Sequence, residues 1–349
     1  MTNTVTDLFL SLTPEKVLQA VERGGLRCNP VCYALNSFEN RVYEIELEDK
    51  TRIVSKFYRP GRWSMDQLME EHQFLNDLEQ AEIEVCGVLP FPDGSTIKRV
   101  DHIYYCLYPR KGGRAPDELS DQDIERLGMM VARMHNVGAK RPAEHRIRLC
   151  SKTYVHDNLA YLADNKVIPD HFESRYFAAA RAIADIMDER MDGVATHRIH
   201  GDFHLGNVLL RDERFYALDF DDMVVGPAVQ DMWLLIPGRG RDVKRKHEIW
   251  CTAYEQFREF DWQTLNLVEP LRGLRYIHYA AWLARRWHDP AFPATWPHFG
   301  SEDYWAQETV DLEEQLQICR MSDPNAEPDS AENDEEELTN KDFFWDMED

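Results

Sequence analysis

Asp202, Asn207 and Asp219 fall in one short stretch, Asn207 five residues after Asp202 and Asp219 twelve after Asn207. Apolar runs that read as short strands flank them. A carboxylate that can take a proton, an amide oxygen and a second carboxylate are the groups that phosphoryl transfer from a magnesium nucleotide needs. Asp202, in a loop after an apolar strand, can accept or orient the proton of an attacking hydroxyl. Asn207 offers Mg²⁺ a neutral oxygen and Asp219 a charged one. Two protein ligands suffice, because Mg²⁺ takes the rest from phosphate and water. The spacing of His200, Asp202 and His204 also admits a histidine metal site in a hydrolase. The further ligands nearby are carboxylates, which suit Mg²⁺ better than zinc. The histidines are therefore read as shaping the loop, through hydrogen bonds to backbone or to Asp219.

The elements that must position these groups can be traced back along the chain. Residues 13–23 read as a short helix, with Thr13 as cap and Pro14 at its first position. A polar loop, 36–41, leads into residues 42–47, where Tyr43, Ile45 and Leu47 alternate with Glu44 and Glu46 as in a half-buried strand. After a turn, residues 51–57 form a second strand carrying Lys56. Ser64 and Gln67 have the capping-box spacing of a helix start. On that helix Glu71 falls between Leu75 and Leu78 on the apolar stripe, while Glu70 lies off it. A carboxylate aimed into a core needs a cationic partner, and Lys56 is the candidate. Lys56 would then hold the α- and β-phosphates. Residues 95–100 and 103–109 read as another strand pair, running into the Gly-rich joint 110–114. From Ser120 the pattern turns helical, with Ile124, Leu127, Val131 and Met134 on one stripe, and helices are expected again at 228–236 and 270–288. A β-rich part with one key helix followed by a helix-rich part makes an α+β protein. Its parts are a nucleotide-binding N-lobe (1–109), a larger helical C-lobe (110–322) and an acidic tail (323–349).

Composition narrows the classes. The net charge of −23 disfavours nucleic acid and anionic membranes as partners. Twelve acidic residues and one Lys in 323–349 carry −11 of that charge. The N-terminus lacks the basic and apolar run of a signal peptide. No stretch approaches the ~20 apolar residues of a membrane span. Seven scattered Cys fit free thiols in a cytoplasmic protein. Cys28 and Cys32 lack the second pair that a zinc site needs.

Residues 200–207 with 218–222 resemble the catalytic core of the aminoglycoside/choline phosphotransferase superfamily, which has a protein-kinase-like fold. Residues 36–43, 56–60, 70–74, 226–231 and 289–293 are closer still to the bacterial stress response kinase A family. The resemblance runs from about residue 10 to 320. It implies a two-lobed, ATP- and Mg²⁺-dependent serine/threonine protein kinase of the bacterial cytoplasm, serving envelope-stress survival. It further implies Asp202 as proton acceptor, Asn207 and Asp219 as magnesium ligands, Ser37 in the loop over the ATP phosphates and Lys56 paired with Glu71. The segment 105–109, notably Tyr105 and Leu107, would be the hinge that meets adenine through its backbone. Departures from ordinary protein kinases carry weight here. Loop 36–41 has no Gly-x-Gly-x-x-Gly, so Ser37 and backbone amides must cover the phosphates. His-Gly-Asp stands for His-Arg-Asp, and Asp219-Phe-Asp for Asp-Phe-Gly, so activation by loop phosphorylation of the usual kind is not expected.

The alternative is a small-molecule kinase for a choline-, homoserine- or aminoglycoside-like alcohol, since the superfamily motif serves both. A pseudokinase is disfavoured by the presence of Lys56, Asp202, Asn207 and Asp219 together. A monomer is expected. The acidic tail could dock on the basic cluster 239–246 or on Arg285 and Arg286, or on a partner; a solvated tail is the favoured reading.

Overall fold

The computed structural model describes residues 9–321 and divides the chain into two compact units. One comprises the chain up to Pro116 together with Asn207–Asp221; the other comprises Asp117–Gly206 and the chain from Asp222. The acidic tail and its suggested docking lie outside the described residues. The architecture is α+β, as expected.

The first unit is built on a five-stranded antiparallel sheet of β1 (Cys28–Leu35), β2 (Arg41–Leu47), β3 (Arg52–Phe57), β4 (Lys98–Val100) and β5 (Ile103–Pro109), in the order β1-β2-β3-β5-β4. Register makes Val42, Lys56 and Cys106 neighbours across three strands, and likewise Glu44, Val54 and Tyr108. Because successive side chains alternate faces, the intervening residues Tyr43, Ile45, Ile53, Phe57, Tyr105 and Leu107 share the opposite face. There they form a core with Val17, Ala20 and Val21 of α1 (Pro14–Arg23). On the other face, Tyr58, Cys106 and Ile97 pack with Leu68 of α2 (Met65–Gln80). This helix starts with both capping-box bonds: Gln67 N–H to Ser64 Oγ at 3.3 Å and Ser64 N–H to Gln67 Oε1 at 2.9 Å. Glu71 is fully buried, where the helical wheel places it.

A hairpin from later in the chain completes this unit: β7 (Val208–Arg211) and β8 (Arg214–Ala217). Asp212 and Glu213 turn it, both in the left-handed region at φ 49° and 60° that two-residue hairpins require. It is fixed to the rest of the unit by backbone bonds. Ala217 N–H reaches Glu84 O at 2.9 Å, and Arg114 and Leu210 exchange bonds of 3.1 and 2.8 Å.

The second unit is largely helical. In it α3 (Asp121–Gly138) packs on α7 (Arg241–Tyr254), while α5 (Asp170–Met191) packs on both α8 (Val268–Arg286) and α10 (Glu302–Met321). The remaining helices are α4 (Asp157–Asp164), α6 (Val229–Leu235) and α9 (Ala291–Thr295). A two-stranded ribbon of β6 (His197–Ile199) and β9 (Val224–Gly226) leads into the Asp202 loop. None of the helices described is long and apolar enough to cross a membrane.

Candidate active site

The hairpin explains the spacing of Asn207 and Asp219. Val208 pairs with Ala217, and the Leu218 N–H reaches Asn207 O at 2.9 Å. Two residues twelve apart in sequence thus stand at adjacent chain ends, on the rim of a cavity of about 360 Å³. Ser37, Lys56, Asn207 and Asp219 all line it, with Val42, Val54, Leu209 and Leu218 supplying apolar wall. Asp219 is held in the left-handed region at φ 52°, a conformation Asp tolerates better than most side chains. Its carboxylate is about half exposed. Two oxygen-bearing side chains side by side, one of them ionisable, fit a hard divalent cation that completes its shell with phosphate and water.

Lys56 is buried at the base of this cavity. Its ammonium lies 2.6 Å from Asp219 Oδ1 and 3.5 Å from Asp221 Oδ1. Burial opposes the charge, but the carboxylates of Asp219, Asp221 and Glu71 outweigh it and hold the ammonium well above the usual lysine range. Asp219 and Asp221 lie within ion-pair distance of Lys56, and the expected partner Glu71 acts on it through its charge. The Glu71 carboxylate accepts the hydroxyls of Tyr58 at 3.3 Å and Tyr108 at 3.4 Å.

Of the expected hinge segment 105–109, Tyr108 and Pro109 line the cavity. Tyr105 and Leu107 sit on the α1 face of β5, in the core, and line no part of the cavity. The Tyr105 hydroxyl donates to Ala20 O at 2.7 Å, and the Leu107 carbonyl accepts from Leu89 N–H at 2.7 Å. The segment from Tyr108 through Lys111 meets the cavity instead.

Loop 36–41 is held by a residue that sequence reasoning passed over. The Arg59 guanidinium donates to Glu39 O at 3.1 Å and to Phe38 O at 2.9 Å, and its amide donates to Asn40 Oδ1 at 3.2 Å. Asn40 Nδ2 in turn reaches Asp221 Oδ2 at 3.1 Å, a carboxylate that also pairs with Arg62. Ser37 Oγ accepts the Asn40 N–H at 3.3 Å. A loop without the usual glycines is thereby given a fixed path by side chains.

In the second unit, Asp202 is shaped by its own neighbours. Arg275 Nη1 donates to Asp202 Oδ1 at 3.0 Å, and His204 Nε2 lies 3.4 Å from Oδ2. Burial would raise the carboxyl, but the charges and hydrogen bonds of His204 and Arg275 overcome it and hold it well below the usual carboxylate range. His200 Nδ1 accepts the Asp202 N–H at 3.3 Å, and His204 Nδ1 accepts the Gly206 N–H at 3.0 Å. Both histidines thus make the backbone contacts expected of loop-shaping residues. Gly201 has φ +86°, and a Cβ there would stand 2.4 Å from Asp222 O. Fully buried Asp231 accepts the amides of His200 at 2.9 Å and Gly201 at 2.8 Å, and Gln230 Nε2 donates to Gly201 O at 3.0 Å. His135 Nε2 meets Asp231 Oδ2 at 3.0 Å. The Asp202 loop is thus pinned on both its donors and its acceptor. The signal for this in the sequence was a Gln-Asp pair inside an otherwise apolar helix.

An antiparallel sheet with a buried lysine, a loop over a cavity and an Asn–Asp pair on a hairpin define a kinase-like phosphotransferase. Residues 33–268 match the phosphotransferase enzyme family (APH). The chain belongs to that family and, within it, to the stress response kinase A group. It is 38% identical over 312 residues to stress response kinase A of Salmonella paratyphi A, covering 89% of this chain and 94% of that one. It is 38% identical over the same shares to "Serine/threonine protein kinase RdoA" of Salmonella typhimurium. Among solved structures, amicoumacin kinase in complex with AMP-PNP and Ca²⁺ aligns with a TM-score of 0.70 at 18% identity, covering 88% of this chain and 96% of that one.

Proposed function

We propose that this protein is an ATP- and Mg²⁺-dependent kinase that transfers the γ-phosphate to a serine or threonine hydroxyl of a protein. The observation that carries the reading is the cavity lined together by Ser37, Lys56, Asn207 and Asp219, backed by the names of the curated relatives. Val42, Val54, Leu209 and Leu218 receive the base, and Ser37 with the amides of its loop faces the phosphates. Lys56 neutralises phosphate charge; once a nucleotide arrives, its ammonium exchanges a carboxylate partner for phosphate oxygens. Glu71, held by Tyr58 and Tyr108, keeps that ammonium oriented from behind. Asn207 and Asp219 would hold Mg²⁺, which neutralises charge developing on the phosphate oxygens. Asp202, ionised throughout the neutral range, orients the acceptor hydroxyl and takes its proton, and Arg275 fixes the carboxylate for that task. The relatives' name supports a role in stress survival, and we assign the protein to the bacterial cytoplasm.

The test is γ-labelled ATP with purified protein, offered a generic protein substrate and a panel of small alcohols, choline-, homoserine- and aminoglycoside-like, in parallel. Label in protein, abolished by EDTA and cut at least about a hundredfold by Asp202→Ala, supports the proposal. Label appearing only in a small alcohol would replace the protein acceptor by that class. Full activity of Asp202→Ala would remove Asp202 from its role.

A further inference from the structure

A line of hydrogen-bonded side chains runs behind Lys56, from Glu71 through Tyr58 and His72 to half-buried Thr96, all within the first unit. It joins two of the stretches that carry the family resemblance, 56–60 and 70–74. Tyr58 is its hub. The Lys56 ammonium lies 5.1 Å over the Tyr58 ring, within cation–π range. The Tyr58 hydroxyl reaches Glu71 Oε1 at 3.3 Å and His72 Nε2 at 3.0 Å, and it accepts the Cys106 S–H at 3.3 Å. His72 Nδ1 meets Thr96 Oγ1 at 2.8 Å. Tyr58 and His72 are both buried, so these bonds are made away from water, where a missing donor is costly.

The chemistry of these groups gives the line a direction. A carboxylate only accepts, so the contact with Glu71 uses the single Tyr58 proton. Burial, aided by the neighbouring Cys106 and Glu71, pushes the Tyr58 hydroxyl well above its usual range, so that proton stays in place. The phenol oxygen is left to accept, and its two lone pairs take the Cys106 S–H and the His72 Nε2–H. With its ring proton on Nε2, His72 presents a lone pair at Nδ1, and the Thr96 hydroxyl donates to it. Reversing one member reverses those beyond it. A His72 protonated on Nδ1 would offer Nε2 to the Tyr58 proton at the shorter of its two distances, and Glu71 would lose a donor.

We propose that His72 and Thr96 are positioning residues of the nucleotide site: they commit the Tyr58 proton to Glu71 and so fix the charge behind the Lys56 ammonium. The inference rests on reading Lys56 as the group that holds nucleotide phosphate. Asp219, 2.6 Å from that ammonium, is also a proposed magnesium ligand. A lysine steadied from behind by Glu71 and the Tyr58 ring keeps its place whichever group Asp219 serves.

Titration of the full chain with a fluorescent ATP analogue tests the proposal. Thr96→Val keeps the shape and removes the donor, and it should weaken binding about three- to tenfold. Thr96→Ser restores the hydroxyl and should bind like the parent. Tyr58→Phe breaks the line in its middle, so adding Thr96→Val to it should cost nothing further. Parental binding by Thr96→Val, no recovery in Thr96→Ser, or single effects that multiply in the double variant would overturn the proposal. A parent that binds no nucleotide would remove the reading of Lys56 as well; a parent that binds while Thr96→Val is unchanged removes the relay alone. Nitrogen NMR of the imidazole gives a readout independent of binding. The parent His72 ring should carry its proton on Nε2, and Thr96→Val should populate the Nδ1–H form. A parent ring protonated on Nδ1 or on both nitrogens, or a ring unmoved by Thr96→Val, would overturn the proposal too.

Discussion

Replacing Arg59 tests whether side chains do here what glycines do in other phosphate-covering loops. The 8%-exposed guanidinium donates to the carbonyls of Glu39 and Phe38 and lies 3.4 Å from Glu39 Oε1. A hydrogen bond from a charged donor contributes about 1.5–3 kcal/mol. Loop carbonyls can turn to water once released, so the lower end applies, and losing two bonds weakens the anchoring by about 3 kcal/mol. Part of the anchor survives, because the Arg59 amide still reaches Asn40 and Asn40 still reaches Asp221. At about 1.4 kcal/mol per factor of ten, Arg59→Met should raise the apparent dissociation constant for ATP about 10- to 100-fold, as the ordered loop becomes a minor population. Arg59→Lys should fall close to Arg59→Met, since a point charge cannot serve two carbonyls as a fork does. A fluorescent ATP analogue titrated onto each folded variant measures the affinity, and steady-state assays separate KM from kcat. Affinity within about twofold of the parent in both variants would refute the reasoning. So would a loss confined to kcat.

Further outcomes follow from other parts of the structure. Gly201→Ala forces a left-handed alanine and a contact with the Asp222 carbonyl, which should cost about 2–4 kcal/mol; urea unfolding measures it, and parental stability would show that the loop relaxes freely. Glu269 is mostly buried; burial would raise its pKa, but Arg272 and Arg239 prevail and bring it down to about 2. A depressed carboxyl stabilises the fold above its unfolded value near 4.5, and the contribution fades as pH falls from there toward 2. The shift corresponds to about 3 kcal/mol. Stability of the parent should therefore drop across that window, while Glu269→Gln starts lower at neutral pH and loses less across it. Parallel curves for the two proteins would exclude this group as the source.

Much of the site could be read before any fold was known, and the reasons are local. The helical wheel buried Glu71 correctly because a single helix sets its own faces. Ser64 and Gln67 marked a helix start because a capping box involves only neighbours. Asp202, Asn207, Asp219 and Lys56 stood out because their chemistry is particular, while Ser37 came only from the family resemblance. What the sequence left open lies where contacts are long-range or patterns are ambiguous. Residues 103–109 are apolar or aromatic on both faces, so alternation could not tell which of Tyr105, Leu107 and Tyr108 meets the cavity. Lys56 was matched to Glu71 because that acid falls on the apolar stripe of its helix, and the hairpin brings Asp219 and Asp221 to it as well, from more than 160 residues away. The partners of Arg59 and Arg275 were not legible for the same reason, since each acts on a segment that only tertiary structure brings to it.

The β7–β8 hairpin has a consequence for how such sites diversify. Asn207 and Asp219 are neighbours because the strands between them are paired, and pairing joins the two ends whatever the length of the ribbon beyond them. Lengthening both strands by one residue each moves the turn outward and leaves the mouth of the ribbon unchanged. Adding a single residue to one strand obliges the ladder to bulge or to slip its register. The separation of the two oxygen donors is therefore free to drift in steps of two and is penalised in steps of one. A twelve-residue interval is one member of an even series, so relatives with longer or shorter ribbons can keep the same pair of side chains in place.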